Sequence, residues 1–349
     1  MFRTCIGFLS LTATMALGQV PSSGERVFNF ANASSAQSMF EIATAMRVIA
    51  EIDAPMVDEA KKSLTAHGTA ARLALAEWLF TGMDLASSPP KNPAIHEYRL
   101  PAGSDNVVRM FYLDRGQTIQ EFQEFATLLR TIGDVRRVYT YNPLKILTMR
   151  GTADQAAMAD WLIGEIETSA AAPRRHSASV LYHLPSNPGP APNENTMQVF
   201  YVGNAATVQS FQETATLLRT IADVRRVFTY NTPRAVAVRG TADQIALAAW
   251  LFDRVDRPAK GPPSQPSEIY NDEAADAFEN SVQVFYLTHT ATPADLQKVA
   301  TQVRGVTSVR RIFTYNAPRV LALRGTLDQV ENAGRLLKQL DPSDFPAGQ

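Results

Sequence analysis

A pair of arginines followed by Tyr-Asn recurs three times along the 349 residues: Arg136-Arg137 with Tyr141-Asn142, Arg225-Arg226 with Tyr230-Asn231, and Arg310-Arg311 with Tyr315-Asn316. Arg234 and Arg319 add a further guanidinium to the second and third sets. An arginine fork recognises carboxylate or phosphate through paired N–H bonds, and a tyrosine beside it supplies amphipathic contact area. Successive strand residues point to opposite faces, so only one arginine of each pair can lie on the open face of a sheet. These residues are the candidate binding set, for an anionic glycan, a peptide strand or a neighbouring module. The plainer alternative is a solvated strand whose arginine stems cover apolar surface.

Other chemistries find little footing. The five histidines, His67, His96, His176, His183 and His289, show no metal-ligand spacing. The only cysteine is Cys5, which leaves no partner for a disulfide. No GxSxG, HExxH or phosphate-loop pattern is present. Asp154, Asp243 and Asp328 recur, but each falls in the first turn of an expected helix, where a carboxylate balances the helix dipole. No catalytic residue, cofactor or metal ligand is assigned, and the expectation is a protein without enzymatic activity. A formal net charge of −1 gives no electrostatic reason for nucleic acid or an anionic membrane as the main partner.

The N-terminus reads as an export signal. Arg3 supplies the positive start, Cys5 to Leu17 is apolar, and Ala16-Leu17-Gly18 offers small residues for cleavage. Residues 1–18 are the expected signal peptide and Gln19 the expected mature start. No later stretch is long and apolar enough to span a bilayer. The location implied is periplasmic or secreted, and the mature chain then has no cysteine.

The elements that must position the arginine sets repeat with them. Residues 109–167, 198–256 and 283–341 align without a gap over 59 positions, with 32 identities between the first two. A fourth, degenerate copy occupies 26–84. In each copy a short β-type run leads to a helix capped by Ser35, Thr118, Thr207 or Thr292, with Pro293 at a favoured first helical position. Phe211, Ala215, Leu218 and Ile221 form one apolar stripe on that helix. Val224 to Tyr230 reads as a strand, Asn231-Thr232-Pro233-Arg234 as a turn, and Ala235 to Arg239 as a third strand. Thr241 with Gln244 forms a capping box for the closing helix. The fold class is therefore α+β: four tandem βαββα modules, each a three-stranded sheet with two helices on one face. Trp161, Trp250, Ala126, Ala215 and Ala300 are expected to face the sheet.

Proline-rich stretches at 188–192 and 258–263 read as extended linkers between modules. Tyr98-Arg99-Leu100-Pro101 and Tyr182-His183-Leu184-Pro185 alternate apolar and polar, so they can add an edge strand. A 59-residue unit buries too little surface to be robust alone, which favours modules that touch one another or other chains.

The run from FYL through VRRxFTYNxPRxLxxRGTxDQ to a helix closing on an acid resembles the secretin N-terminal domain, a KH-like module. The strongest parts are Val238-Arg239-Gly240-Thr241 and Leu323-Arg324-Gly325-Thr326, with the closing Val255-Asp256 and Leu340-Asp341. The resemblance implies non-enzymatic modules that pack side by side and contact envelope partners. A β-rich channel domain does not follow Asp341, so the reading is a string of stand-alone modules and not a secretin pore. The GXXG loop with which KH domains hold RNA is missing, and export would separate the chain from RNA.

The degenerate copy keeps Phe28, Ala43, Arg47, Gly68, Thr69, Trp78 and Leu79 and loses the strand-two arginines, the TYN turn and the DQ pair. Met56, Val57, Ala60 and Leu64 have helical spacing there, but the gapless match predicts the same fold with a weakened strand two. The expected function is an exported interaction or assembly protein, partnered by an envelope protein or by itself. The alternative is an envelope glycan or anionic-ligand binder using the Arg/Tyr faces.

Overall fold

The computed structural model describes residues 23–87, 96–113, 118–171, 176–185, 193–204, 207–232, 234–258, 266–276, 278–290 and 292–342. The expected signal peptide and the linker stretches 188–192 and 259–263 lie outside the described residues.

The first module comprises β1 (Ser23–Asn29), α1 (Ala36–Ile49), β2 (Asp53–Asp58), β3 (Ser63–Thr69) and α2 (Ala70–Met83). The second has a linker strand β4 (His96–Arg99), then β5 (Val107–Tyr112), α3 (Ile119–Thr131), β6 (Arg137–Tyr141), β7 (Ile146–Gly151) and α4 (Ala153–Ala171). The third has β8 (Ser177–Ala178), β9 (Tyr182–His183), β10 (Thr196–Tyr201), α5 (Val208–Thr220), β11 (Arg226–Tyr230), β12 (Ala235–Gly240) and α6 (Ala242–Val255). The fourth has β13 (Tyr270–Asn271), β14 (Ser281–Tyr286), α7 (Pro293–Thr307), β15 (Arg311–Tyr315), β16 (Val320–Gly325) and α8 (Leu327–Leu340). The fold is α+β, and the βαββα order repeats four times.

Each sheet is antiparallel, with the third strand in the centre: β1-β3-β2, β4-β5-β7-β6, β11-β12-β10-β8 and β13-β14-β16-β15, with β9 also on β10. Among the described residues, the expected three-stranded sheet occurs in the first module alone. In the others, linker residues pair along strand one, with Tyr98 opposite Val108, Tyr182 opposite Met197 and Tyr270 opposite Val282. Strand one also begins two or three residues ahead of the expected module starts.

Local sequence accounts for the helix ends. Ser35, Thr118, Thr207 and Thr292 each accept a backbone N–H three residues on. Thr241 with Gln244 and Thr326 with Gln329 close capping boxes. Ala126, Ala215 and Ala300 are buried as expected. The closing acids act as clips. Asp84 accepts the N–H groups of Ala31, Asn32 and Ala33, Asp256 those of Gly203 and Asn204, and Asp341 those of Thr288 and His289.

In the first module β2 and β3 are strands and no helix crosses Met56 to Ala66. The pairing shifts register between Asp53 and Met56, around Pro55. A proline cannot donate to the ladder, and β2 tolerates it as an edge strand.

Candidate functional site: the faces where modules dock

Strand alternation divides each later sheet between two cores. In β14, Phe285 packs with Leu296, Ala300 and Val303 of its own helix layer. Val282, Val284 and Tyr286 on the other face pack with Leu217 and Leu247 of the preceding module. Met197, Val199 and Tyr201 of β10 likewise join Phe125 and Leu128 of the second module. Val108 and Met110 of β5 join the core of the first. The sheet of each later module therefore lies on the helices of the one before it.

The tyrosine, the asparagine and the second arginine of each recurrent set sit on this docking face. Tyr141, Tyr230 and Tyr315 are buried at 2%, 3% and 0% exposure, which corrects the expectation of an exposed face. The Tyr230 ring lies 5.0 Å from that of Phe125, and its hydroxyl donates to the Glu121 carbonyl at 3.3 Å. The Tyr315 hydroxyl meets that of Thr214 at 3.3 Å. Burial pushes the phenols of Tyr141 and Tyr315 up to about 12, and that of Tyr230 further.

Asparagine follows tyrosine and reads one acid on the preceding first helix. The backbone N–H groups of Asn142, Asn231 and Asn316 donate to Glu41, Glu124 and Glu213 at 3.2, 3.3 and 3.0 Å. Arg137 pairs with Glu51 across the junction and with Asp105 of its own module. Arg226 stands 3.5 Å from Asp134 and 3.1 Å from Glu194, and Arg311 3.1 Å from Asp223 and 2.7 Å from Glu279. Each guanidinium thus bridges one acid of the preceding module and one of its own.

Arg136, Arg225 and Arg310 precede the strands and are exposed. Arg234 is also exposed and Arg319 half-buried, both in the turn after strand two.

Several docking residues were not assigned to a binding site from the sequence. Arg150, Arg239 and Arg324 of the RGT motif donate to the carbonyls of Ile49, Ile132 and Ile221 at 3.1, 3.0 and 2.8 Å. These carbonyls end the preceding first helix, where the dipole favours a cation. The hydroxyls of Tyr112, Tyr201 and Tyr286 donate to the carbonyls of Gly82, Glu165 and Arg254 at 3.0, 3.2 and 3.1 Å. Trp161 and Trp250, expected to face the sheet, also differ from expectation, and Trp78 lies as they do. Trp78, Trp161 and Trp250 are half-buried and lie 5.7, 5.0 and 5.3 Å from Tyr98, Tyr182 and Tyr270 on the next module's linker strands. The first helices carry a second stripe beyond the one expected, and the adjacent leucines Leu128-Leu129 and Leu217-Leu218, all buried, were the sequence signal for it.

Among the described residues no group of His, Cys, Asp and Glu could hold a metal ion, and no helix is long and apolar enough to cross a membrane.

No protein-family model and no curated protein matches the chain. Among solved structures it is similar to Aeromonas hydrophila ExeD, at 15% identity over 69% of this chain and 42% of that one, TM-score 0.16. It is also similar to the pilotin–secretin AspS–GspD complex of ETEC, at 17% identity over 68% and 38%, TM-score 0.16. Aspartate kinase from Synechocystis matches at 11% identity over 94% and 55%, TM-score 0.17. The chain thus spans less than two thirds of each of these chains.

Proposed function

We propose that the chain is an exported, non-enzymatic interaction protein of the periplasm or cell exterior, acting as a stack of four modules that presents its sides to a protein partner. One observation carries this reading. The surfaces richest in recognition chemistry, around Tyr141, Tyr230 and Tyr315, are engaged with protein, module against module. The resemblance of the RGT and closing-acid motifs to secretin N-terminal domains supports the same class of role. What stays accessible at one recurring position is Arg136, Arg225 and Arg310, and a cation repeated once per module fits an acidic partner surface that engages several modules together. The anionic-ligand alternative would use the exposed arginines, since the tyrosines of the sets are buried.

Changing Arg136, Arg225 and Arg310 together to alanine should leave thermal unfolding nearly unchanged, since surface changes cost within about 0.5 kcal/mol each. The variant should lose the envelope protein that the natural chain captures, most visibly at low salt, where surface charge is least screened. Undiminished capture would refute the role of these arginines. Binding of an anionic oligosaccharide that the variant loses would favour the alternative. Export is tested by N-terminal sequencing of protein from its native host, with Gln19 the expected first residue.

A further inference from the structure

The docking contacts repeat at three junctions, and the residues that make them change at both ends of the stack. On the first module's sheet, Ala54 stands where Arg137, Arg226 and Arg311 stand in the others, Asp58 where the buried tyrosines stand, and Glu59 in place of the asparagines. Asn29 replaces the strand-one tyrosine and His67 the arginine of the RGT motif. Asn29, Ala54, Glu59 and His67 are exposed, and Asp58 is held by Lys61 at 2.8 Å.

The last module's helix layer changes in the complementary way. Lys298 stands where Glu41, Glu124 and Glu213 receive the asparagines, and Ser308 where Glu51, Asp134 and Asp223 receive the arginines. Gln302 replaces the buried Ala45, Leu128 and Leu217, and Asn332 the buried Leu75, Met158 and Leu247. Arg335 takes the place of tryptophan. All five residues are exposed.

We infer that these end-face residues specify where docking stops, so that copies of the chain do not join head to tail through the module faces. A head-to-tail interface that is self-complementary runs on into filaments, and arrays of stacked repeats need polar outer faces at their ends. Here a copy-to-copy junction would bury Gln302 and Asn332 where the internal junctions bury alanine, leucine or methionine, and would lose the arginine–acid pair entirely. The one complementary pair it would gain, Lys298 with Glu59, is an exposed ion pair of little weight.

The test rewrites each end of the full chain to the internal pattern. One variant carries Lys298→Glu, Gln302→Leu, Ser308→Asp, Asn332→Leu and Arg335→Trp. The other carries Asn29→Tyr, Ala54→Arg, Asp58→Tyr, Glu59→Asn and His67→Arg. Circular dichroism checks that both fold; a reduced pair, Lys298→Glu with Ser308→Asp against Ala54→Arg with Glu59→Asn, serves if either does not. Sedimentation of labelled mixtures should show the two variants associating at least tenfold more tightly than either does with the natural chain. Folded variants that associate no better than natural chains would overturn the inference. So would natural chains that associate and come apart on Glu59→Lys.

Discussion

The carboxylate of Asp256 is buried, and the N–H groups of Gly203 and Asn204 each reach it at 2.8 Å. Replacing it with alanine strands those two donors and removes the carboxylate that His176 Nδ1 meets at 3.0 Å, a loss of roughly 2–4 kcal/mol. Urea unfolding of Asp256→Ala should show that drop. Tyr315 gives a pH signature. Burial raises its phenol from 10.0 to about 12, so its contribution to stability is complete below pH 10 and is lost as pH rises through 12. Alkaline unfolding followed by tyrosine absorbance should fall in that window, with Tyr315→Phe flattening the dependence. Residues of one type thus serve opposite ends: Arg137 fastens a junction, while Arg136 beside it remains at the surface.

At the scale of elements, the first helices of the inner modules are packed on two sides. In α5, Phe211, Ala215 and Leu218 face their own sheet, while Glu213, Thr214 and Leu217 meet the next module. Leu217→Ala should therefore cost about 2–5 kcal/mol although Leu217 belongs to no stripe facing its own sheet. Hydrogen exchange should show the loss in β15 as well as in α5. The central strands follow the same logic: every residue of β7 and β16 is buried, because one face meets its own helices and the other the preceding module. A linker strand then covers the outer edge of strand one, and its tyrosine reaches back to the preceding tryptophan.

At the scale of the molecule, stability is shared between modules and junctions in the manner of a linear array. Small units that bury little surface alone gain what they lack by stacking. A chain stopped at residue 258 would expose Leu217, Leu247 and Trp250 without the polar replacements that the last module carries. It should self-associate at micromolar concentration, and sedimentation velocity measures this directly. The full chain differs in having Gln302, Asn332 and Arg335 at that face.

The repeat, the element order, the caps and the alanine packing positions were legible in the sequence, because period, cap chemistry and β-branched runs are local properties of the chain. The fate of the Arg-Tyr-Asn sets was not. A neighbouring module was one of three partners that their chemistry allowed, and local pattern carries no information on which of them approaches. Glu41 and Asn142 are far apart in sequence and meet only when one sheet settles on the preceding helices. The tryptophans read as core residues for the same reason, since helical spacing marks an apolar face without saying whose sheet will cover it. Tertiary structure made that choice by burying both faces of the inner sheets, and it explains why the first copy, which has no helix layer of another module beneath its sheet among the described residues, keeps the fold residues without the arginine set.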